Sequence, residues 1–240
     1  MDEVSCRGCG TIFTPSRKET VYCSRDCSNK TTGPKLSAKT HANEARPVAW
    51  ACGAGVDSTA IAVLICQGQL PPPKYAWIVD VGYEPRTTWR YVADVLQPKL
   101  ANVGVMLHIL KTTDYTQNDL VRDGHATIPA YRRKEDGSIQ KFHTHCSNGW
   151  KARVAERWLR QQGARAIEQW VGIAAEEVKR IRKSEKAWIR LRYPLVERGM
   201  TRSDCIYLIG QAGWPLPERT SCYLCPHRSL GDWRRLAARN

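Results

Sequence analysis

The chain has 240 residues, of which 42% are hydrophobic and 25% are charged, and this composition is typical of a soluble globular protein. No run approaches the roughly 18 apolar residues of a membrane-spanning helix. Since the N-terminus does not resemble a signal peptide, we expect a cytoplasmic protein without a membrane partner. The formal net charge of +14 favours nucleic acid as a partner, although a basic surface that only maintains solubility fits equally.

The first predicted unit is a small metal module at residues 1–30, defined by two close pairs of cysteines. In a cytoplasmic protein such pairs are more often metal ligands than disulfides, and four thiolates suit tetrahedral Zn²⁺. Few large apolar residues lie between the pairs, so the metal has to stabilise the module. Residues 31–46 are polar and are predicted to be a flexible linker. The four cysteines are Cys6, Cys9, Cys23 and Cys27.

Residues 47–240 are predicted to form the main domain, which begins with a strand, a glycine loop and a helix. Such a loop lets backbone N–H groups approach an anion at the positive end of the helix, so we predict a nucleotide phosphate site. The lysine of a Walker loop is missing. A dinucleotide fingerprint is weakened because Ser58 stands at its third glycine position. The predicted loop consists of Gly53, Ala54, Gly55, Val56, Asp57, Ser58 and Thr59.

Alternating apolar strands and helices follow the loop. The continuous apolar strands predict a doubly wound, Rossmann-like parallel α/β sheet, with the ligand at the carboxyl ends of the strands. The polar stretch 111–145 departs from this pattern and is predicted to be a substrate lid or an inserted loop. The other predicted strands are 75–81, 105–110 and 167–173, and the predicted helices are 59–66, 87–101 with a break near Pro98, and 149–162.

Six further motifs follow the loop in a fixed order. Together with the loop they resemble the phosphoadenosine phosphosulfate (PAPS) reductase family and the N-type ATP pyrophosphatases. The PP-loop of these proteins is commonly written Ser-Gly-Gly-x-Asp-Ser, and Gly53 and Ala54 depart from its first two positions. The motifs are Asp80-Val81-Gly82-Tyr83-Glu84, the segments 146–151, 170–180, 193–197 and 200–205, and Ser221-Cys222-Tyr223-Leu224-Cys225-Pro226.

The resemblance implies a fold of the adenine nucleotide alpha hydrolase type and a set of site residues. The loop 53–59, Asp80 and Gly82 would bind ATP or an adenylyl-sulfate, and Asp57 would help to place Mg²⁺. A second implied site is a [4Fe–4S] cluster, although four thiolates also suit zinc. The implied catalytic residues are Asp57, Ser58, Lys151 and Arg180, and the implied cluster ligands are Cys146, Cys205, Cys222 and Cys225.

We therefore expect an enzyme that cleaves ATP between its α and β phosphates, or uses an adenylyl-sulfate, and transfers sulfur to an acceptor. No Glu-Cys-Gly segment like that of the family's reductases occurs in the sequence, so sulfate reduction is not favoured. The zinc module and the positive charge indicate a nucleic-acid acceptor. Part of the basic run 179–192 is expected to face the nucleotide or a nucleic acid. Many short, divergent members of the family are phage-encoded. If this protein is also phage-encoded, we expect it to act in the host cytoplasm.

Two alternatives stay open. Ala54 in place of the family's glycine is compatible with a non-catalytic zinc-finger protein that binds nucleic acid and whose α/β domain only senses nucleotide. Because Asp80 ends the second predicted strand, a dinucleotide-dependent oxidoreductase also remains. The sequence does not indicate an oligomeric state.

Overall fold

The computed structural model describes residues 3–6, 9–14, 23, 46–115, 121–122, 125–126, 131–141, 146–225 and 227–238. Cys27, nearly all of the predicted linker and Pro226 lie outside these residues. The chain divides into two units, Met1–Ala45 and Arg46–Asn240. In the described part of the chain, no helix has the length and apolar character needed to cross a membrane.

The N-terminal unit contains a short antiparallel hairpin. Strand β1 (Val4–Ser5) pairs with β2 (Ile12–Phe13). The turn between them is closed by two backbone hydrogen bonds, from Gly10 N–H to Cys6 O at 2.9 Å and from Cys6 N–H to Thr11 O at 2.8 Å. Gly10 has a φ of +77°, which glycine adopts without strain. The hairpin therefore holds the first cysteine pair in a tight knuckle.

The second unit is built on a five-stranded parallel sheet of order β11–β10–β3–β4–β5. When these five strands are numbered 1 to 5 along the chain, their order from the β5 edge of the sheet is 3-2-1-4-5. This is the strand order of Rossmann-type domains. The predicted doubly wound α/β sheet is thus confirmed. Its strands are β3 (Val48–Ala51), β4 (Tyr75–Asp80), β5 (Leu107–Lys111), β10 (Ile167–Val171) and β11 (Ile189–Arg192).

Helices cover both faces of this sheet. On one face, α1 and α6 pack over Trp50 and Trp170, which are fully buried. On the other face, α4 packs Trp158 and Leu159 against Trp77. The helices are α1 (Val56–Cys66), α2 (Arg86–Tyr91), α3 (Gln97–Ala101), α4 (Arg153–Gln161), α5 (Pro194–Glu197), α6 (Arg202–Gln211) and α7 (Leu230–Ala237).

Irregular helical turns join several of these elements. A π-helical turn (Val92–Leu96) connects α2 to α3 immediately before Pro98, which has no N–H to continue the regular ladder. The helix predicted for residues 87–101 is therefore interrupted as expected, and the interruption lies one turn before Pro98. A second π-helical segment (Cys146–Ala152) leads into α4, and a 3₁₀ segment (Ala175–Arg180) follows β10.

Two regions differ from the sequence prediction. The edge strand β11 was not predicted, because it lies in the basic run and alternates Ile189 and Leu191 with two arginines. The predicted lid 111–145 begins within β5, and its described residues form two separate two-stranded sheets outside the main sheet. They pair β6 (Val121–Arg122) with β7 (His125–Ala126), and β8 (Tyr131–Arg133) with β9 (Ile139–Lys141).

Candidate functional site

The site lies where the strand order reverses, between β3 and β10. In open parallel sheets, ligands bind at the carboxyl ends of the strands at this point. Gly172 directly follows β10, and a Cβ atom on it would lie only 3.2 Å from Ser58 N. Glycine at this position therefore lets the end of β10 approach the loop that follows β3. The sequence motif 170–180 contains this glycine, although we did not predict it as a site residue.

The predicted phosphate loop is a tight turn closed by its own serine. Gly53 N–H donates to Ser58 Oγ at 2.9 Å. Gly55 stands at the N-cap of α1, and no described side chain caps the first turn. The leading N–H groups of an 11-residue helix therefore point out of the loop at the positive end of the helix dipole. This arrangement is suited to a phosphate.

Ala54 is the one non-glycine residue with positive φ in the described chain, at +52°. The left-handed conformation costs an alanine roughly 1 kcal/mol, which explains why a PP-loop commonly has glycine here. The methyl group of Ala54 is fully buried in the core beside α1. Because the Cβ atom packs into the core, the alanine does not remove the turn.

Asp57 lies in the first turn of α1 and forms an ion pair with Arg202. The distance from Asp57 Oδ1 to Arg202 Nη1 is 3.3 Å, and the aspartate side chain is 14% exposed. Burial raises the pKa of Asp57 above its ordinary value, and the Arg202 charge opposes this shift. Arg202 begins α6, and its backbone N–H donates to both oxygens of Glu176, at 2.9 and 3.0 Å.

Arg202 is a site residue that we did not predict. Its position is fixed by a capping box, in which Thr201 caps α6 and exchanges hydrogen bonds with Asp204. The sequence signal for this helix start was the Thr-x-x-Asp pattern within the motif 200–205. No sequence signal indicated that the helix start would meet Asp57.

A cavity of about 710 Å³ opens at the carboxyl ends of β3, β4 and β10. This volume is within the usual range for a small-molecule site. The predicted loop reaches it through Gly53 and Ser58. The charged side chains that line it belong to Glu84, Lys151, Glu156, Arg180 and Arg182.

Arg180 and Lys151 are both in ion pairs at this cavity. Arg180 Nη1 lies 2.7 Å from Glu177 Oε2, and both side chains are exposed at the rim. Lys151 Nζ lies 3.5 Å from Glu84 Oε1. The structure thus brings Ser58, Lys151 and Arg180 to one cavity, whereas Asp57 faces Arg202 beside it.

Glu84 is a second residue that we did not predict as part of the site. It is 8% exposed, and its Oε2 accepts a hydrogen bond from Val81 N–H at 3.2 Å. Its Oε1 is buried and accepts no hydrogen bond from any described residue. Burial raises the pKa of Glu84, and the charge of Lys151 opposes this shift. Its position in the Asp-x-Gly-x-Glu motif was the available sequence signal.

Asp80 and Gly82 shape a turn after β4. Gly82 N–H donates to Asp80 Oδ1 at 2.7 Å, and Gly82 has a φ of +84°. Neither residue lines the cavity. Their predicted contact with the nucleotide stays a prediction.

The arginines of the basic run 179–192 have different contacts. Arg180 and Arg182 line the cavity. Arg192 instead pairs with Glu168 at 3.1 Å and with Glu197 at 2.8 Å. Part of the run therefore faces the cavity, and part holds the edge strand β11 in place.

Solved structures match this fold, whereas no protein-family model and no curated protein matches the sequence. The U34-tRNA thiolase NcsA from Methanococcus maripaludis, solved with its [4Fe-4S] cluster, has a TM-score of 0.50 and 15% identity over 99% of this chain and 80% of its own. A PAPS reductase from Candida auris, in a phosphate complex, has a TM-score of 0.49 and 13% identity over 85% of this chain and 98% of its own.

The chain shares a Rossmann-like α/β fold with the thiolase. At these identities the likeness concerns the fold alone, and it agrees with the resemblance carried by the loop and the motifs after it.

The second predicted set of cysteines lies in the α/β domain. Among the described residues, only Cys6, Cys9 and Cys23 form a cysteine group close enough to hold one metal ion. Cys205 is 0% exposed in the core under α1 and α6, whereas Cys146 packs against the core on the opposite face. The cluster predicted to join Cys205 with the other three cysteines stays a prediction.

The other three cysteines lie on the side of the cavity. Cys146 begins the π-helical segment that also contains Lys151. Cys222 and Cys225 are joined by a turn in which Cys225 N–H donates to Cys222 O at 3.1 Å. Tyr223 N–H, inside this turn, donates to Tyr83 O at 2.8 Å. The turn is therefore anchored next to Glu84.

The N-terminal cysteines converge as the spacing predicted. The sulfur atoms of Cys6, Cys9 and Cys23 all lie within 4.8 Å of one another, and the Cys9 and Cys23 sulfurs are 3.5 Å apart. Cys23 N–H also donates to Cys6 Sγ at 3.3 Å. Three sulfurs at this spacing can hold a metal ion. The fourth predicted ligand, Cys27, lies outside the described residues, and zinc stays a prediction.

Proposed function

We propose that the PP-loop domain binds an adenine nucleotide and cleaves ATP between its α and β phosphates, so that an acceptor activated as its adenylate can receive sulfur. The observation that supports this proposal is the junction of the loop with the cavity, where Gly53 and Ser58 line the wall at the start of α1. Phosphates bound by the first-turn N–H groups place the rest of the nucleotide in the cavity.

The charged residues have distinct roles in this proposal. The α1 N–H groups and Ser58 hold the phosphates, and Arg180 stabilises the charge that develops on them after turning away from Glu177. Asp57 supplies a carboxylate ligand for Mg²⁺, in place of its ion pair with Arg202. Lys151, which lines the same cavity, contacts the acceptor side of the nucleotide.

We also propose that Cys146, Cys222 and Cys225, without Cys205, hold a [4Fe–4S] cluster. Their common side of the domain fits this assignment, and Cys205 packs in the core on the opposite face of the sheet from Cys146. When bound, the cluster would supply a site for sulfur. The acceptor we propose is nucleic acid, because the chain has a net charge of +14 and a cysteine-rich hairpin that suits Zn²⁺.

The test is to analyse the products of ATP turnover, with and without a mixed RNA fraction. We expect AMP and pyrophosphate in place of ADP and phosphate. Replacing Asp57→Asn should lower the rate about a hundredfold, the usual order for the loss of a charged group at the reacting phosphates. The matched control is Asp94→Asn, which removes an exposed carboxylate from the turn between α2 and α3 and should leave the rate unchanged.

Three results would contradict this proposal. ADP and phosphate as products indicate an ordinary ATPase. ATP binding without turnover under any condition favours a nucleotide-sensing protein that binds nucleic acid. Binding of NAD(P) without ATP favours an oxidoreductase.

A further inference from the structure

Glu84 is the charged side chain of the cavity whose hydrogen bonds are incomplete. Its side chain is only 4% exposed, and one of its oxygens is fixed by Val81 N–H. The other oxygen, Oε1, is buried and accepts no hydrogen bond from the described residues. Buried carboxylate oxygens are normally bonded, since an unbonded one costs free energy. An orphaned oxygen on a cavity wall is therefore a candidate for contact with a ligand.

The positive charge of Lys151 offsets the buried negative charge of Glu84 only in part. Its ammonium lies 3.5 Å from Oε1, and the lysine side chain is 48% exposed, so it can swing aside at little cost. The missing partner of Oε1 must donate a hydrogen bond, and the cavity that Glu84 lines is where a ligand group can approach it. Hydroxyl and amino groups have this property, whereas a phosphate at neutral pH has not.

The position of Glu84 in the sheet points to one kind of hydroxyl. The bond from Val81 N–H holds the carboxylate at the end of β4, which is the second strand of the sheet along the chain. In dinucleotide-binding domains of this strand order, an acidic side chain after the second strand binds a ribose hydroxyl. Asp80 is nearer to the strand, but its Oδ1 is already bonded to Gly82 N–H.

We propose that Glu84 binds a ribose hydroxyl of the nucleotide and selects a ribose without a phosphate group. This inference rests on the proposed function, because it takes the nucleotide to lie in the cavity. It favours ATP over nucleotides such as PAPS, whose ribose carries a 3′-phosphate. A second anion beside a buried carboxylate is repelled, and it cannot donate the hydrogen bond that Oε1 lacks.

The first experiment compares ligands on the wild-type protein. Affinities for ATP, 2′-deoxy-ATP, 3′-deoxy-ATP and adenosine 3′,5′-bisphosphate are measured by calorimetry with EDTA present, which prevents turnover. A hydrogen bond to a charged group corresponds to about a tenfold or greater difference in affinity. We expect at least one deoxy analogue to bind about tenfold more weakly than ATP, and the bisphosphate to bind weakest.

The second experiment uses Glu84→Gln, which keeps the shape and removes the charge. We expect the preference for ATP over the deoxy analogue to shrink to about threefold or less. The affinity for the bisphosphate should rise, because Lys151 is then a cation without its carboxylate partner. The matched control is Glu156→Gln. Glu156 also lines the cavity and pairs with a lysine, Lys186, yet it has no buried orphan oxygen, so the ratio between ATP and the deoxy analogue should stay unchanged.

Two results overturn the proposal. If ATP and both deoxy analogues bind equally to the wild-type protein, the ribose contact is absent while nucleotide binding stands. If none of the four ligands binds, the proposed function fails as well. Because the first comparison needs no substitution, a Glu84→Gln protein that does not fold leaves the test intact.

Discussion

The N-terminal hairpin and the α/β domain use buried cysteine in different ways. Cys6 is 3% exposed, and its neighbours are the sulfurs of Cys9 and Cys23. Cys205 is 0% exposed and belongs to the apolar core that α1 forms with Trp50, and the charged groups that act on its thiol are carboxylates and Arg202, not other sulfurs. Burial therefore does not distinguish a metal ligand from a packing residue. The surroundings of the sulfur do, because thiolates converge only where a metal offsets their charge.

The strongest way to test this difference is to remove metal from the hairpin. We expect chelation to unfold the N-terminal unit, because structural zinc stabilises small modules by roughly 10 kcal/mol and the described hairpin has only two short strands. The same result is expected for Cys9→Ser. Zinc content, together with amide signals of residues 3–14, measures the effect. Cys205→Ala is the control that should keep both zinc and hairpin signals, and a chelated protein with an intact hairpin would contradict the prediction.

A smaller effect is expected from Cys205→Ser in the α/β domain. A hydroxyl buried without a partner should cost about 1–3 kcal/mol of unfolding free energy, whereas Cys205→Ala loses only a small apolar group. Neither change should lower the iron content. Cys222→Ser should lower it with little change in stability, because Cys222 is only partly buried. Urea denaturation measures the change in stability, and iron analysis measures the loss of the cluster. Iron loss in Cys205→Ser would support a cluster held by all four cysteines.

The sheet could be predicted because its strands are apolar on both faces. Four of the five strands were predicted, and each of their ends lies within two residues of the predicted one. The edge strand β11 could not be found in this way. Arg192 is stabilised in the sheet by Glu168 and Glu197, and such pairing depends on elements distant in sequence.

The candidate site was predictable only where the chain itself forms it. The loop 53–59 is local, so its glycines and its helix start could be read directly. Arg202 and Glu84 join the site through contacts between distant elements, with Asp57 and with Lys151. For Cys205, the spacing of cysteines could not reveal which face of the sheet α6 would cover.

The smallest expected effect concerns pH. Burial raises the pKa of Cys205 to about 12, whereas a thiol in the unfolded chain ionises near 8.5. A raised folded-state pKa means that the unfolded state loses its proton first as the pH rises. The stabilisation is therefore complete below about pH 8.5 and declines between about pH 8.5 and 12.

At about pH 9.5 this decline should amount to roughly 1 kcal/mol for Cys205. Unfolding free energies measured by urea between about pH 7.5 and 9.5 should fall less in Cys205→Ala than in the wild-type protein. The hairpin differs here, because metal-bound sulfurs are already deprotonated and give the opposite dependence. Replacing a predicted ligand such as Cys9 should therefore not reduce the loss of stability that the α/β domain shows at alkaline pH. Equal slopes for Cys205→Ala and the wild-type protein would mean that the Cys205 thiol ionises freely and is not the buried packing group that distinguishes this domain from the hairpin.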